Sequence, residues 1–354
     1  MVQYSLKTLT LEDEAEIKKI LAWFPKADIY SDPRYLRLFQ NYTGERAIYF
    51  YYDSGACKIL LPIFERTLPF AAPYKDMVSS WYYGGPIYNF KNIETARIHI
   101  NNFLPELNKY CLENNIVSEF QRLNPMLENH KFYESDAQTP FNRKIVYIDL
   151  NQDLESVRKE YLYKARKNIN KAHRSGLKVV RQKDEDGIKK FFNLYTASLK
   201  HRKETRPFYY FNQKFFLDMF ESLRDGAELF NVYFDGKLAA SSVVLGCGET
   251  LYDYLRASDP ALLDLRPNDF VVDEIVVWSK TVGYKYYDLG GGRSGAEDDK
   301  LFEFKKSFSQ KTRDFYMYKK IHNLPKYKEL CALAGKKESE LAYESAEFFP
   351  EYGK

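Results

Sequence analysis

One pattern of turns occurs twice in this chain, and it limits the fold more than any single motif. AIYFYY (47–52), the turn Asp53-Ser54-Gly55 and CKILLPIFER (57–66) read as a hairpin. ELFNVYF (228–234), Asp235-Gly236 and KLAASSVVLGCG (237–248) read as another. Each hairpin is followed by a helix that ends at Asn or Gly. The first covers 94–114 and stops near Asn114-Asn115; the second covers 267–282 and stops at Gly283. A strand then ends in Pro or Gly, IVSEFQRLNP (116–125) in one case and YKYYDLGG (284–291) in the other. The residues differ but the order of elements matches, so the spacing predicts two related α/β units in tandem.

A length of 354 residues suits two domains. The expected division is 1–150, 151–322 and a polar helical tail, 323–354. No Pro/Gly/Ser-rich linker separates the halves, so close packing is expected. Further helices are expected over 12–23, 152–175, 185–200 and 212–224, and further strands at KIVYIDL (144–150) and ETLYDYLRAS (249–258). RDFYMYKKI (313–321) is expected to close the second unit.

Several classes are disfavoured. No apolar run approaches the ~18 residues of a membrane span. The N-terminal MVQYSLKTLTLEDEAEI has no continuous apolar stretch, so no secretory signal is expected. Cys57, Cys111, Cys247 and Cys331 are far apart, and the five histidines form no H-x-x-x-H pair. Neither a disulfide framework nor a zinc site is expected, and a reducing cytoplasm suits the chain best. The 30 Tyr, 26 Phe and 3 Trp make it too aromatic for disorder.

Charge is concentrated in one place. Residues 158–181 carry nine Lys/Arg and one acid, whereas the whole chain is only +4, so the remainder is slightly acidic. On a helix, Lys164, Lys167, Lys171 and Arg174 share one face, and Val157, Tyr161, Ala165, Ile169 and Ala172 share another. This predicts a buried apolar face and an outward basic face, suited to a polyanion such as RNA phosphates or a phosphorylated lipid or nucleotide, or simply to solvent. His173 beside it reads as incidental.

Chemistry-bearing candidates lie in the second half. GGGRSG (290–295) follows a strand but fits neither phosphate-loop pattern, so it reads as a turn at the rim of a site. Lys305 in LFEFKKSFS (301–309) is flanked by Phe302, Phe304 and Phe308. Strand-like alternation would point Lys305 away from Phe302 and Phe304. A lysine with few waters can stabilise a developing oxyanion; a surface lysine on a half-buried segment is the plainer alternative. Arg206, Pro207, Phe208, Tyr209 and Tyr210 lie in an inter-helix loop, where Arg can grip a phosphate and Tyr can stack. Tyr252 and Tyr254 are expected on one strand face, as core or as cleft lining. No Ser-His-Asp or Cys-His arrangement can be assembled.

Taken in order, WYYGGPIY (81–88), R-x-N-P (122–125), KARKNINKAHRSG (164–176), DGKLAASSVVL (235–245), LYDYLRAS (251–258), GYKYYDLGG (283–291) and LFEFKKSFS resemble the FemABX family of aminoacyl-transferases and related FemAB-like acyltransferases. The resemblance spans about residues 25–320. It implies α/β architecture with two tandem GNAT-type acyltransferase domains, here without a coiled-coil arm, because 185–225 is too short to hold one. It implies transfer of an amino acid from aminoacyl-tRNA to an amine of a peptidoglycan precursor, linked to a nucleotide or lipid. Lys305 falls on the family's transition-state lysine, with Phe304 beside it. Arg206 and Tyr210 match an Arg-x-x-x-Tyr pair that contacts the precursor, and Tyr254, with Tyr252 nearby, falls in the same cleft. Gly84, Gly85 and Asn124 lie in matching segments. The family often has Asp-Pro where this chain has Asn124-Pro125, and Asn cannot act as a base.

No metal or other cofactor is expected; the acyl donor is aminoacyl-tRNA, with acyl-CoA as the alternative. An acyl-CoA-dependent enzyme would act on an amino sugar or another envelope glycan intermediate, although the GNAT pyrophosphate loop [QR]-x-x-G-x-[GA] is missing. A non-catalytic polyanion-binding scaffold is a third reading. The expected setting is the cytoplasm, as a monomer, with peripheral inner-membrane contact if the acceptor is lipid-linked.

Overall fold

The computed structural model describes residues 5–90, 92–133, 139–296 and 298–353. The chain divides into two compact units. One comprises the chain up to Asn142 together with the segment from Asp314 on; the other is Arg143–Arg313.

In the first unit the strands lie in the order Ser5–Thr10, Arg46–Asp53, Lys58–Thr67, Lys75–Val78, Ile116–Arg122 and Thr312–Ile321, the last from Asp314 on. Neighbours are antiparallel except Lys75–Val78 with Ile116–Arg122. That parallel step needs a crossover, supplied by the helix Ile93–Glu113. In the second unit the order is Lys178–Arg181, Ala227–Phe234, Lys237–Cys247, Thr250–Ser258, Tyr286–Gly291 and Phe141–Asp149, the last from Arg143 on. Again one pair is parallel, Thr250–Ser258 with Tyr286–Gly291, joined by the helix Pro267–Val282. The two units match position by position, as the tandem pattern predicts.

Local chemistry accounts for these elements. Asp235 and Gly236 both have positive φ, 46° and 74°, the backbone a tight two-residue hairpin turn requires. Pro267 begins the crossover helix, and Gly283, at φ 90°, ends it. Val271, Val272, Ile275 and Val276 of that helix are buried in one cluster with Ala165, Ile169, Ala172, Val244, Leu251 and Tyr287.

Four expectations need correction. The unit boundary is not at 150, and the last strands are exchanged: Phe141–Asp149 pairs with Tyr286–Gly291, while Met317–Ile321 pairs with Ser118–Arg122. Strand pairing depends on distant partners that a local pattern does not name. The 152–175 helix is two, Leu154–Lys159 and Tyr163–Arg174, broken where the Leu162 N–H donates to Ser307 O at 2.8 Å. LFEFKKSFS is not strand-like; Lys300–Lys306 is a helix. The polar tail is no separate segment, because Tyr327, Cys331, Phe349 and Tyr352 pack with Leu68 and Val117 in the first unit.

Candidate active site

The parallel ladder of the second unit is short. Thr250, Leu251 and Tyr252 face Tyr286, Tyr287 and Asp288, and there the ladder ends. Both strands are irregular just beyond. Val243 faces Leu255 while Val244 faces Asp253, so Tyr254 is an extra residue. Tyr147 faces Asp288 while Val146 faces Gly290, so Leu289 is another. Such bulges bend a strand and increase its twist, and the sheet opens between the two strands. The Tyr254 bulge also breaks the alternation expected to put Tyr252 and Tyr254 on one face; both are buried. Among the described residues of the first unit the parallel contact reaches further. There the ladder runs from Lys75 to Val78, and Gly84 then bridges Leu123, its N–H donating to Arg122 O at 2.8 Å.

Lys305 is positioned by the strand that borders this opening. Its ammonium donates to the carbonyl of Gly291, the last residue of Tyr286–Gly291, at 2.7 Å. The helix carrying it starts at Asp299, whose carboxylate accepts from the N–H groups of Leu301 at 2.9 Å, Phe302 at 3.1 Å and Ser294 at 2.7 Å. Burial opposes ionisation of Asp299, yet these donors hold it at about 2. Gly292 permits the approach, since a Cβ there would lie 2.5 Å from Asp299 Cγ. The Gly-rich loop thus anchors the Lys305 helix through carboxylate and carbonyl groups. Burial pushes Lys305 down to about 8, with Arg256 adding to the effect and Asp253, Asp288 and Asp299 opposing it. Arg256 pairs with Asp253 at 2.8 Å and lies 6.0 Å from the Phe304 ring, which also meets Phe308 edge-on at 5.3 Å.

Arg206 and Tyr210 meet at Glu204 in the loop between the helices Glu185–His201 and Gln213–Ser222. The Arg206 guanidinium grips the Glu204 carboxylate at 2.8 and 2.9 Å, and the Tyr210 hydroxyl donates to Glu204 O at 2.6 Å. The paired Arg206 holds Glu204 at about 2. The guanidinium also lies 4.7 Å from the Tyr209 ring. Both Arg206 and Tyr210 are exposed. Crowding by protein atoms, and then the charge of Arg293 in the Gly-rich loop, lower Arg202. The inter-helix loop and the Gly-rich loop are therefore neighbours.

Residues 158–306 match the acetyltransferase (GNAT) domain model. FemX is structurally similar to the chain, with a TM-score of 0.69 at 14% identity, covering 91% of this chain and 98% of FemX. The C-terminal DUF2156 domain of a putative lysylphosphatidylglycerol synthetase from Agrobacterium fabrum is similar at a TM-score of 0.56 and 15% identity, covering 90% of this chain and 94% of that one. In sequence, a UDP-N-acetylmuramoylpentapeptide-lysine N(6)-alanyltransferase of Weissella viridescens is 27% identical over 188 residues. The match is 53% of this chain and 49% of that relative, so it spans about half the relative's length. The chain shares the fold of FemX, carries a GNAT-domain match over residues 158–306, and is similar in sequence over about half its length to a FemABX-type alanyltransferase.

The first-unit candidates are buried and closely packed. Gly84 and Gly85 are buried, and a Cβ on Gly85 would lie 2.5 Å from Asn129 Nδ2, which donates to Gly84 O at 2.9 Å. Asn124 is buried; its Nδ2 donates to Asp28 Oδ2 at 2.5 Å and its Oδ1 accepts the Met126 N–H at 2.9 Å. A carboxylate thus does stand at Asn124, supplied by Asp28.

The basic helix agrees with its spacing: Lys164, Lys167, Lys171 and Arg174 are exposed, and Ala165, Ile169 and Ala172 are buried. His173, Asp273 and Glu274 bring three possible ligand atoms within 4.8 Å of one another. Arg158 already occupies both Asp273 oxygens, at 2.9 and 2.5 Å, and its charge opposes a cation there. Among the described residues no helix is long and apolar enough to cross a membrane. Sequence reasoning missed Asp253, Arg256, Asp288 and Asp299 around Lys305. The acids in Y-D-x-G-G and before KLFEFKK were the available signal.

Proposed function

We propose that the chain transfers an amino acid from aminoacyl-tRNA to an amine of a peptidoglycan precursor, with Lys305 as the oxyanion-stabilising group. The carrying observation is the Lys305 ammonium at the opening in the sheet. One donor is taken by the Gly291 carbonyl, and two of its three N–H donors can turn to a ligand. In the reaction the amine nitrogen attacks the ester carbon. A C–N bond forms, the carbonyl electrons move onto oxygen, and the ester C–O bond then breaks. The amine proton leaves with the released 3′-oxygen. This needs an activated ester and a neutral amine, but no further cofactor. A preorganised cation at the developing oxyanion contributes most, and holding amine and ester together contributes the rest.

Arg206, with Tyr210 hydrogen-bonded to Glu204 in the same loop, suits a phosphate or carboxylate of the acceptor, exchanging its contact with Glu204 for the substrate. Tyr252 and Tyr254 border the opening, with Phe304 beside Lys305. The exposed face of Lys164, Lys167, Lys171 and Arg174 suits the phosphates of the RNA donor. A cytoplasmic monomer meeting a nucleotide- or lipid-linked precursor, with peripheral membrane contact in the second case, fits this reading. The match to an acetyltransferase domain and the Asn at 124 favour one alternative, an acyl-CoA donor with an amino-sugar acceptor.

The test incubates the purified chain and a UDP-linked muramyl peptide with charged tRNA or with acetyl-CoA and reads the product mass. An aminoacyl increment that requires RNA supports the proposal. Acetylation without RNA overturns it. Lys305→Met is expected to lower the rate by about 10²–10³-fold, and unchanged turnover removes Lys305 from its role.

A further inference from the structure

The second unit contains a cavity of about 340 Å³ lined by Arg181, Asp225, Glu228, Leu251, Trp278 and Tyr284, among others. It lies at the opposite end of the sheet from Lys305. Leu251 stands at the start of Thr250–Ser258 and Tyr284 just ahead of Tyr286–Gly291, the two strands that diverge, whereas Lys305 is tied to Gly291 at the far end of the second. From Tyr286 to Gly291 a strand extends about 16 Å. No group assigned to acyl transfer lines this cavity.

Its walls carry both signs of charge and an aromatic surface. The Trp278 indole is held by Phe230 at 5.3 Å and Tyr284 at 5.9 Å between ring centres. The Arg181 guanidinium lies 5.7 Å from the indole, half exposed, and approaches Glu228 only to 3.8 Å. Glu228 is fixed by Lys183 at 2.7 Å. The Tyr284 hydroxyl reaches over Gly246, where a Cβ would lie 2.5 Å from it. Burial, and then Cys247, Glu228 and Asp225, push that phenol up to about 12, so it remains a donor.

These walls select by exclusion. A simple anion would meet the carboxylates of Asp225 and Glu228. A simple cation would meet Arg181. An apolar molecule would strip water from all three without replacing its hydrogen bonds. A molecule with an amine at one end, a carboxylate at the other and an apolar branch satisfies every wall. The volume is at the lower end for small-molecule sites, which limits the occupant to a single residue or little more. We propose that this cavity is a binding site for a free α-amino acid, its carboxylate on Arg181, its ammonium toward Asp225 and Glu228, and its side chain against Trp278 and Leu251.

Titration calorimetry on the full chain tests this with L-leucine, L-phenylalanine, L-alanine and L-lysine, each to about 10 mM. At least one is expected to bind. Its decarboxylated amine and its N-acetyl derivative are each expected to bind about tenfold more weakly or not at all. This comparison uses the unaltered protein and depends on no variant folding. Arg181→Gln is expected to weaken binding about tenfold with an unchanged circular dichroism spectrum, while Lys305→Met leaves it unchanged. No binding by any of the four, equal binding of amine and amino acid, or loss of binding in Lys305→Met would each overturn the assignment. The last result would place the ligand in the acyl-transfer site instead.

Discussion

Burial lowers the Lys305 ammonium to about 8, and Arg256 adds to this against the pull of Asp253, Asp288 and Asp299. In the unfolded chain a lysine titrates near 10.4. Between about 8 and 10.4 the unfolded chain therefore binds the extra proton, and stability rises with pH across that window. The cost of holding the charge is fully present below about 8. The urea midpoint of the wild-type chain is expected to gain on that of Lys305→Met as pH rises through this range; parallel curves would contradict it. Activity has the opposite sign, because only the protonated form stabilises an oxyanion. Turnover should fall above about pH 8, and Lys305→Arg should carry that limb upward with any activity it retains. Asp299, held at about 2, behaves as a depressed acid: its contribution is present above pH 4 and is lost toward pH 2. Lys305 itself could be found in the sequence through its aromatic flanks and the family resemblance. Asp288 and Asp299 left a trace as the acids in Y-D-x-G-G and before KLFEFKK, but Asp253 and Arg256 could not be found, because they come from a distant strand brought beside Lys305 only by the fold.

The helix Lys300–Lys306 shows what an element's pattern does and does not reveal. Phe302, Phe304 and Lys306 fit a strand period, but Leu301, Phe304 and Phe308 fit a helical one equally well. The deciding signal is Asp299, which caps the first turn. Asp299→Ala is expected to cost about 1 kcal/mol in denaturation, the usual value for a lost N-cap. Gly292→Ala should act on the same contact from the other side, because its Cβ would displace the Asp299 carboxylate. Both variants should lower turnover more than their stability loss explains, since Lys305 is carried by that helix. The basic helix was legible for a simpler reason: a solvated face records its own spacing, whatever lies elsewhere in the fold. Lys167→Glu with Lys171→Glu is expected to weaken tRNA binding and reduce the slope of log affinity against log salt by about 2. An unchanged slope would return that face to plain solvent contact. Much of the aromatic clustering, by contrast, proved to be packing. Phe191, Tyr195, Phe211, Phe215 and Phe216 stack on one another between two helices, while Tyr210 beside them is exposed.

At the scale of the whole molecule, the duplicated order of hairpin, crossover helix and parallel strand was readable because turns and helix ends are local. The sixth strand of each unit was not, because it is taken from the far side of the apparent boundary. A fragment cut at the sequence-based limits, 151–322, would lack Phe141–Asp149 and leave Tyr286–Gly291 without its antiparallel neighbour. It would also lose Val146, Ile148 and Leu150, all buried in the second-unit core. At roughly 1.5–3 kcal/mol for each fully buried aliphatic side chain, that loss is about 5 kcal/mol or more. It is comparable to the whole stability of an ordinary domain, about 5–15 kcal/mol. The strand that loses its partner also carries the Gly291 carbonyl on which Lys305 rests. Fragment 143–313 is therefore expected to unfold cooperatively in urea, followed by circular dichroism, and 151–322 to give a shallow transition or none. Equal cooperativity in the two would show that the exchanged strand contributes little. In that case the Gly291 carbonyl would be held by the parallel ladder and the Gly-rich loop alone.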